Sequence, residues 1–267
     1  MKTVHQLVDL KGRVALITGG AGYLGYAMAE ALAEAGCGIA LLDIDGQRTS
    51  KKAAALAKKY KVRAMALAVD LLDAQALRSV RGQIQVKMER LDILINGAAL
   101  VGTSHLKGWA VPFAEQDMNT WRLALELNLT AVFALVQSCQ PLLARSKNAS
   151  VINIASIYGI LGPDMGLYEG TSMGNPGAYA ASKGGLVQLT RWMATTLAPD
   201  VRVNSISIGG VFRNHQEPFL SRYKNKTPLK RMASEEDIKG AALFLASDLS
   251  QYVTGHNLVV DGGWSAW

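Results

Sequence analysis

The chain has 267 residues, 49% of them hydrophobic and 18% charged, which is enough apolar content for a sizeable core in one large domain or two small ones. No apolar run reaches the ~20 residues that a membrane helix needs, and the first ten residues carry His5 and Asp9 without a signal-peptide core. The net charge of +7 gathers in two runs, Lys51 to Arg63 and Arg213 to Arg231, neither of which interleaves the aromatics of a strand-binding groove. A cytoplasmic protein that engages neither membrane nor nucleic acid is expected. Cys37 and Cys139 are far apart in apolar surroundings and read as reduced thiols, and the four histidines show no ligand spacing, so no metal centre is expected.

Arg13 to Thr18 (RVALIT) is a short apolar run that stops at Gly19-Gly20, as a buried parallel strand does. Gly19 to Gly25 reads as a glycine-rich turn, and Tyr26 to Ala35 as a helix closed by Gly36. Strand, glycine turn and helix in that order make a phosphate cradle. Glycines let the backbone approach a pyrophosphate, and the helix N-terminus faces its charge. Gly38 to Leu42 is a second strand ending at Asp43, where an acid hydrogen-bonds adenosine ribose hydroxyls and repels a 2′-phosphate. No arginine follows it directly, and Asp45 adds negative charge, so NAD is expected in preference to NADP.

The alternation continues with helix 47–59, strand 64–69 ending at Asp70, helix 73–89 and strand 91–95. The small residues of Asn96-Gly97-Ala98-Ala99 would let a planar ring lie close to the backbone. An irregular stretch, 100–117, precedes a helix over 119–143, and strand 150–154 reaches Ala155-Ser156. A loop over 159–177 with Pro163 and Pro176 leads into a helix that runs to about Leu197. Strand 201–207, a basic loop over 209–231, helix 234–247 and strand 257–260 complete the pattern. Strands alternating with helices predict an α/β fold: a single-domain, Rossmann-type doubly wound parallel sheet with helices on both faces, over 1–267.

Tyr179 and Lys183 lie four residues apart, one helical turn from each other on one face. An ammonium at that spacing can stabilise a phenolate and lower a phenol pKa that otherwise sits near ~10. That turns a tyrosine into an acid or base near neutral pH.

Together these residues resemble the short-chain dehydrogenase/reductase family of the standard single-domain kind, over essentially the whole chain. Thr18-Gly19-Gly20 with Gly25 resembles the cofactor loop, Asp70 the acid beside the adenine, and Asn96-Gly97-Ala98-Ala99 the Asn-Asn-Ala-Gly element. Asn128 resembles the helix asparagine of a proton relay, Ser156 the serine on the substrate carbonyl, and Tyr179 with Lys183 the acid/base pair. The resemblance implies a dinucleotide site formed by Gly19, Gly22, Tyr23, Leu24, Gly25, Asp43, Ile44, Asp70, Leu71, Asn96, Ala98 and Val211, with Tyr179 and Lys183 at its nicotinamide end. It implies reversible hydride transfer between a secondary alcohol and a ketone, and a homodimer or homotetramer paired through the helices around Asn128 and Tyr179.

Four departures from the family pattern stand out. Tyr23 takes a position where glycine is usual and Gly22 shifts by one, a spacing that resembles the larger sugar-nucleotide epimerases; the chain is too short for their extra lobe. Gly97 and Ala99 replace the commoner Asn and Gly. Ser207-Ile208-Gly209-Gly210 lacks a proline before glycine, and Arg213 stands where a threonine often touches the cofactor. Ser156 and Tyr179 are 23 positions apart, about ten more than is common, so an insert around 164–175 must loop out. That insert carries Tyr168, Glu169, Thr171 and Ser172, and the basic loop carries Arg213, Arg222, Lys224 and Lys226; a polar or acidic carbohydrate-type substrate is expected. Two rival functions fit the same fold, an epimerase or dehydratase with tightly held NAD and a non-catalytic NAD-binding regulator. The end Trp264-Ser265-Ala266-Trp267 is expected to be covered by a neighbouring subunit or to lie over the site.

Overall fold

In a computed structural model, described for residues 1–101 and 104–267, seven parallel strands form one sheet in the order β3-β2-β1-β4-β5-β6-β7. The strands are β1 (Val14–Thr18), β2 (Gly38–Asp43), β3 (Ala64–Ala68), β4 (Ile93–Asn96), β5 (Ala149–Ser156), β6 (Val201–Ile208) and β7 (Asn257–Val260). The helices are α1 (Val4–Val8), α2 (Tyr23–Glu34), α3 (Gly46–Tyr60), α4 (Ala74–Met88), α5 (Met118–Leu125), α6 (Ala131–Leu143), α7 (Gly177–Thr196), α8 (Phe219–Lys226) and α9 (Glu236–Ala246).

Strands β1 to β4 are largely apolar because both faces are covered, while β5 and β6 also bury hydrogen-bonded polar residues such as Asn153 and Asn204. Alternate residues of β1 show why: Val14 and Leu16 enter the core beneath α4, α6 and α7, whereas Ala15 and Ile17 enter the core beneath α2 and α9. Each buried Ile or Leu contributes roughly 1.5–3 kcal/mol of transfer free energy, which holds the strand ends in register. Chain order reverses between β1 and β4, and in open parallel sheets the crevice at that reversal, beyond the carboxyl ends of the strands, is where ligands bind.

Besides the unexpected short helix α1, three elements near the site differ from the sequence expectation. Helix α2 starts at Tyr23, not Tyr26, because Gly22 adopts an extended N-cap conformation and the glycines continue directly into the helix. The helix expected over 119–143 is interrupted by a π-helical turn, Glu126–Thr130, which carries Asn128. The whole run Met118–Leu143 would pass for a membrane span by length and composition, but it packs against α4, α7 and the sheet. The basic loop is not irregular throughout: it contains α8, whose Phe219 and Tyr223 are buried against Ile157, Leu167, Met232 and Trp264. Gly102 and Thr103, in the loop expected over 100–117, lie outside the described residues.

The C-terminal aromatics are accounted for within the chain in part. Trp264 stacks on Tyr223 with ring centroids 4.4 Å apart. Trp267 donates its indole N–H to the Lys226 carbonyl but remains largely exposed. Both cysteines are buried free thiols, and burial pushes the Cys139 thiol up to about 12.

Candidate active site

At Gly19 and Gly25 the glycine loop leaves no room for a side chain. Gly19 has φ +64, and a Cβ there would meet the Ala98 backbone at 3.0 Å; a Cβ on Gly25 would collide with the Gly19 carbonyl. The loop therefore lies flush against the segment leaving β4, and α2 approaches it as closely as a side-chain-free turn allows. Gly22, as N-cap, offers no side-chain acceptor, so the first amides of α2 remain available to an anion. Asp43, at the end of β2, uses Oδ2 to accept the Ala21 N–H at 3.0 Å, which ties the strand-end acid to the glycine loop. Asp70 is exposed and accepts the Leu72 N–H at 2.9 Å. Ile44 is exposed, Leu24 and Leu71 are half-buried, and Val211 pairs with Ala233 as an isolated parallel bridge. Cradle, open helix amides and terminal acid fit a dinucleotide.

Asn96 and Ala98 belong to the frame beneath that groove. The Thr18 hydroxyl accepts both the Gly97 N–H at 3.0 Å and the Ala98 N–H at 3.1 Å. Asn96 Nδ2 donates to Asn153 Oδ1 at 2.8 Å, and Asn153 Nδ2 donates to the Thr190 hydroxyl at 2.9 Å. Asn96 Oδ1 is buried without a hydrogen-bond partner among the described residues. Thr18 was legible only as part of the loop motif; its latch onto the β4 exit depends on β1 and β4 being neighbours.

Ser156, Tyr179 and Lys183 converge at the carboxyl end of β5. Ser156 is the last residue of the strand, and its Oγ accepts the Tyr158 N–H at 3.2 Å. Tyr179 and Lys183 come from the first two turns of α7. Burial pushes the Tyr179 phenol above its ordinary value, offset only in part by the nearby Ser156 hydroxyl, which favours the ionised form. Lys183 is 4% exposed; its Nζ donates to the Ile154 carbonyl at 2.7 Å and stands 5.9 Å from the Tyr179 ring centre. Burial lowers the ammonium to about 8. The expected lowering of the phenol by the lysine is thus absent in the chain by itself, because the ammonium is turned onto the β5 backbone.

Asn128 is fully buried in the π turn and its side chain is fully engaged. Nδ2 donates to the Leu100 carbonyl at 3.0 Å and to the Ser182 hydroxyl at 3.1 Å, while Oδ1 accepts the Leu100 N–H at 2.8 Å. It pins the chain leaving β4 to α7, next to Lys183 in sequence but without a hydrogen bond to it.

The insert covers this end of the sheet. Its Tyr168 hydroxyl pairs with the Tyr158 hydroxyl at 2.9 Å and lies close enough to Tyr179 to influence its ionisation. Tyr168 also stacks near Phe219 of α8, with centroids 5.6 Å apart. The basic loop fastens this roof. Arg222 donates to the Leu167 and Glu169 carbonyls, and Lys226 pairs with Asp164. Arg213 pairs with Glu235 at 2.8 Å and Arg231 with Asp237 at 2.6 Å. Most of the cations expected to attract an anion therefore hold one loop against another. Sequence reading separated the insert from the basic loop; in the folded chain they form one unit. A cavity of about 540 Å³ lies at the opposite end of the sheet, lined by Lys11, Arg13, Arg90, Asp92 and Arg145. None of the cradle or of Ser156, Tyr179 and Lys183 borders it, so the chemistry points to the groove.

Comparison with known proteins places this arrangement. A family model described as enoyl-(acyl carrier protein) reductase matches residues 20–265. The chain is 31% identical over 265 residues to a 2-dehydro-3-deoxy-D-gluconate 5-dehydrogenase of Formosa agariphila, covering 96% of this chain and 94% of the relative. It is 29% identical over 261 residues to a 3-oxoacyl-(acyl-carrier-protein) reductase of Aquifex aeolicus, covering 96% and 98%. A gluconate 5-dehydrogenase from Burkholderia cenocepacia, solved with NADP and tartrate, superposes with a TM-score of 0.88 at 25% identity, over 99% of this chain and all of that one. With its seven-stranded parallel sheet and these relatives, the chain belongs to the short-chain dehydrogenase/reductase family and is an oxidoreductase acting on CH–OH groups with NAD or NADP as acceptor.

Proposed function

We propose that this enzyme interconverts a secondary alcohol and a ketone on a polyhydroxylated, carbohydrate-type substrate, with NAD(H) preferred to NADP(H). The observation that carries the proposal is the meeting of Ser156, Tyr179 and the insert's Tyr168 at the carboxyl end of β5, beside the glycine cradle.

The bound dinucleotide supplies the hydride acceptor or donor. Asp43 and Asp70 would hold its adenosine end, the Gly19–Gly25 loop its pyrophosphate, and Lys183 with Tyr179 its nicotinamide ribose. In the oxidative direction Tyr179, as phenolate, takes the hydroxyl proton of the substrate; in the reductive direction it returns a proton to the carbonyl oxygen. Ser156 donates a hydrogen bond to the reacting oxygen as its charge develops. Asn128 acts through position, by fixing Leu100 and Ser182 around this group.

The Tyr158–Tyr168 hydroxyl pair supports a substrate with hydroxyls beside the reacting carbon. The relatives named for gluconate-type substrates point the same way. Engagement of Arg222 and Lys226 with the insert weakens the case for a strongly acidic substrate relative to a neutral polyol or sugar. The terminal acid Asp43 supports NAD, since it would face a 2′-phosphate across a short distance. Phe133 and Trp192, exposed on α6 and α7 with ring centroids 6.2 Å apart, support pairing of two copies through these helices.

A panel of polyols, aldoses, sugar acids and 3-ketoacyl thioesters assayed with NAD(H) and NADP(H), read at the reduced-nicotinamide absorbance, tests this reading. Turnover of polyols or sugars with a higher kcat/KM for NAD is expected. Turnover confined to acyl thioesters, or tightly held NAD with no net NADH formation, would overturn it. Light scattering would test the pairing through a mass of twice or four times the chain.

A further inference from the structure

Two of the departures from the family pattern meet in space. Tyr23 stands at the first position of α2, in the glycine loop, with an exposed ring. Arg213 stands beyond β6, in the loop on the other side of the groove, and its guanidinium carbon lies 4.5 Å from the centre of that ring. Arg48, from the first turn of α3, lies over the same ring at 5.8 Å.

We infer that Tyr23 and Arg213 form a clasp across the pyrophosphate stretch of the cofactor groove, with Arg213 supplying a cofactor-binding cation that the usual loop sequence does not contain. The inference rests on the reading that a dinucleotide occupies this groove. Three observations carry it. A guanidinium stacked on an aromatic face keeps its N–H edge directed sideways, where phosphate oxygens can be bound in its plane. Arg213 is held in place by its own surroundings: Glu235 pairs with it at 2.8 Å, its Nη1 donates to the Phe212 carbonyl at 2.6 Å, and its backbone N–H donates to His215 Nδ1 at 3.2 Å. Finally, the ring it rests on marks the N-terminus of α2, whose first amides have no side-chain acceptor, so the arginine adds charge where the helix already favours an anion. The glycine that usually fills the position of Tyr23 could not hold an arginine there.

The consequence is a groove closed from above by side chains of both loops. A bound dinucleotide leaves only after the stack opens, so the clasp acts mainly on the rate of release. The test uses the full chain without substrate, measuring NADH and NADPH affinity by the change in reduced-nicotinamide fluorescence and release by stopped-flow displacement. Arg213→Ala is expected to weaken NADH about tenfold, mostly through faster release. Tyr23→Ala is expected to do nearly the same, Tyr23→Phe to retain wild-type affinity, and the double Ala variant to be little worse than either single one. Circular dichroism melts would show that each variant is folded. Wild-type binding with an unchanged Arg213→Ala constant, or singles whose effects multiply independently in the double variant, would overturn the clasp alone. Wild-type protein that takes up neither NADH nor NADPH would overturn the reading of the groove and the clasp with it.

Discussion

The proposed catalytic wall and the roof above it are built in different ways. Ser156 closes β5, Tyr179 and Lys183 open α7, and each position is set by the backbone of a buried element whose register is fixed by its neighbours. The roof, made of the insert and the loop carrying α8, depends instead on side chains that reach across more than fifty residues: Arg222 to the Leu167 and Glu169 carbonyls, Lys226 to Asp164. The wall can keep its geometry while the roof changes, which would separate the proposed reaction chemistry from substrate choice. Rigid elements suit groups that must meet the reacting atoms within hydrogen-bond distance, whereas loops fastened by ion pairs can be refitted without disturbing the sheet.

The sharpest break of this comparison is Tyr179→Phe, which removes the proposed proton-transfer group and leaves the ring in place. A drop in kcat of about 10³-fold is expected with cofactor affinity and melting temperature nearly unchanged; retention of more than a tenth of the activity would mean that the wall is not where the chemistry happens. Lys183→Met should cost about 10²-fold in kcat yet leave the protein more stable near neutral pH, because it removes a buried ammonium. The sign follows from the lowered pKa. The folded chain releases this proton at about 8, whereas an unfolded lysine holds it to ~10.4. Between those values the unfolded state binds more protons, so this group makes stability rise with pH, and below 8 its full burial cost remains. Denaturant midpoints of wild type and Lys183→Met should converge from pH 8 to 10.5; parallel curves would place the lysine in water.

Gly25→Ala probes the floor shared by both regions. The added methyl meets the Gly19 carbonyl, so a loss of about 1–3 kcal/mol in stability and a weakened dinucleotide affinity are expected from urea unfolding and fluorescence titration. Arg222→Ala should have the smallest and most selective effect. With the insert released from α8, KM should rise about tenfold while kcat changes less than threefold, and the kcat of Tyr179→Phe should not fall further when the two are combined. Equal losses in kcat and kcat/KM for Arg222→Ala would show that roof and wall are coupled after all.

The sequence alone was sufficient for the strand order to be expected as a doubly wound sheet, and for Ser156, Tyr179, Lys183 and the glycine cradle to be picked out. The cradle and the Tyr179–Lys183 pair are local signals, an apolar run bounded by glycines and two side chains one helical turn apart, whereas Ser156 was singled out by the family resemblance. Other features came only with the folded chain, because they join residues far apart in sequence. Helix α8 was hidden in a polar run whose apolar partners, Ile157, Leu167 and Trp264, lie in three separate segments. The π turn carries Asn128, whose one amide bonds both the N–H and the carbonyl of Leu100, a contact that no helical periodicity reveals. Lys183 faces the Ile154 carbonyl and not the Tyr179 oxygen because burial leaves its ammonium in need of the nearest acceptor. Tyr23 and Arg213, two unrelated oddities as sequence, become one contact because the β1 and β6 exits open on the same side of the sheet. Local chemistry was written in the residues; which of those residues face one another was decided by the parallel sheet that carries them.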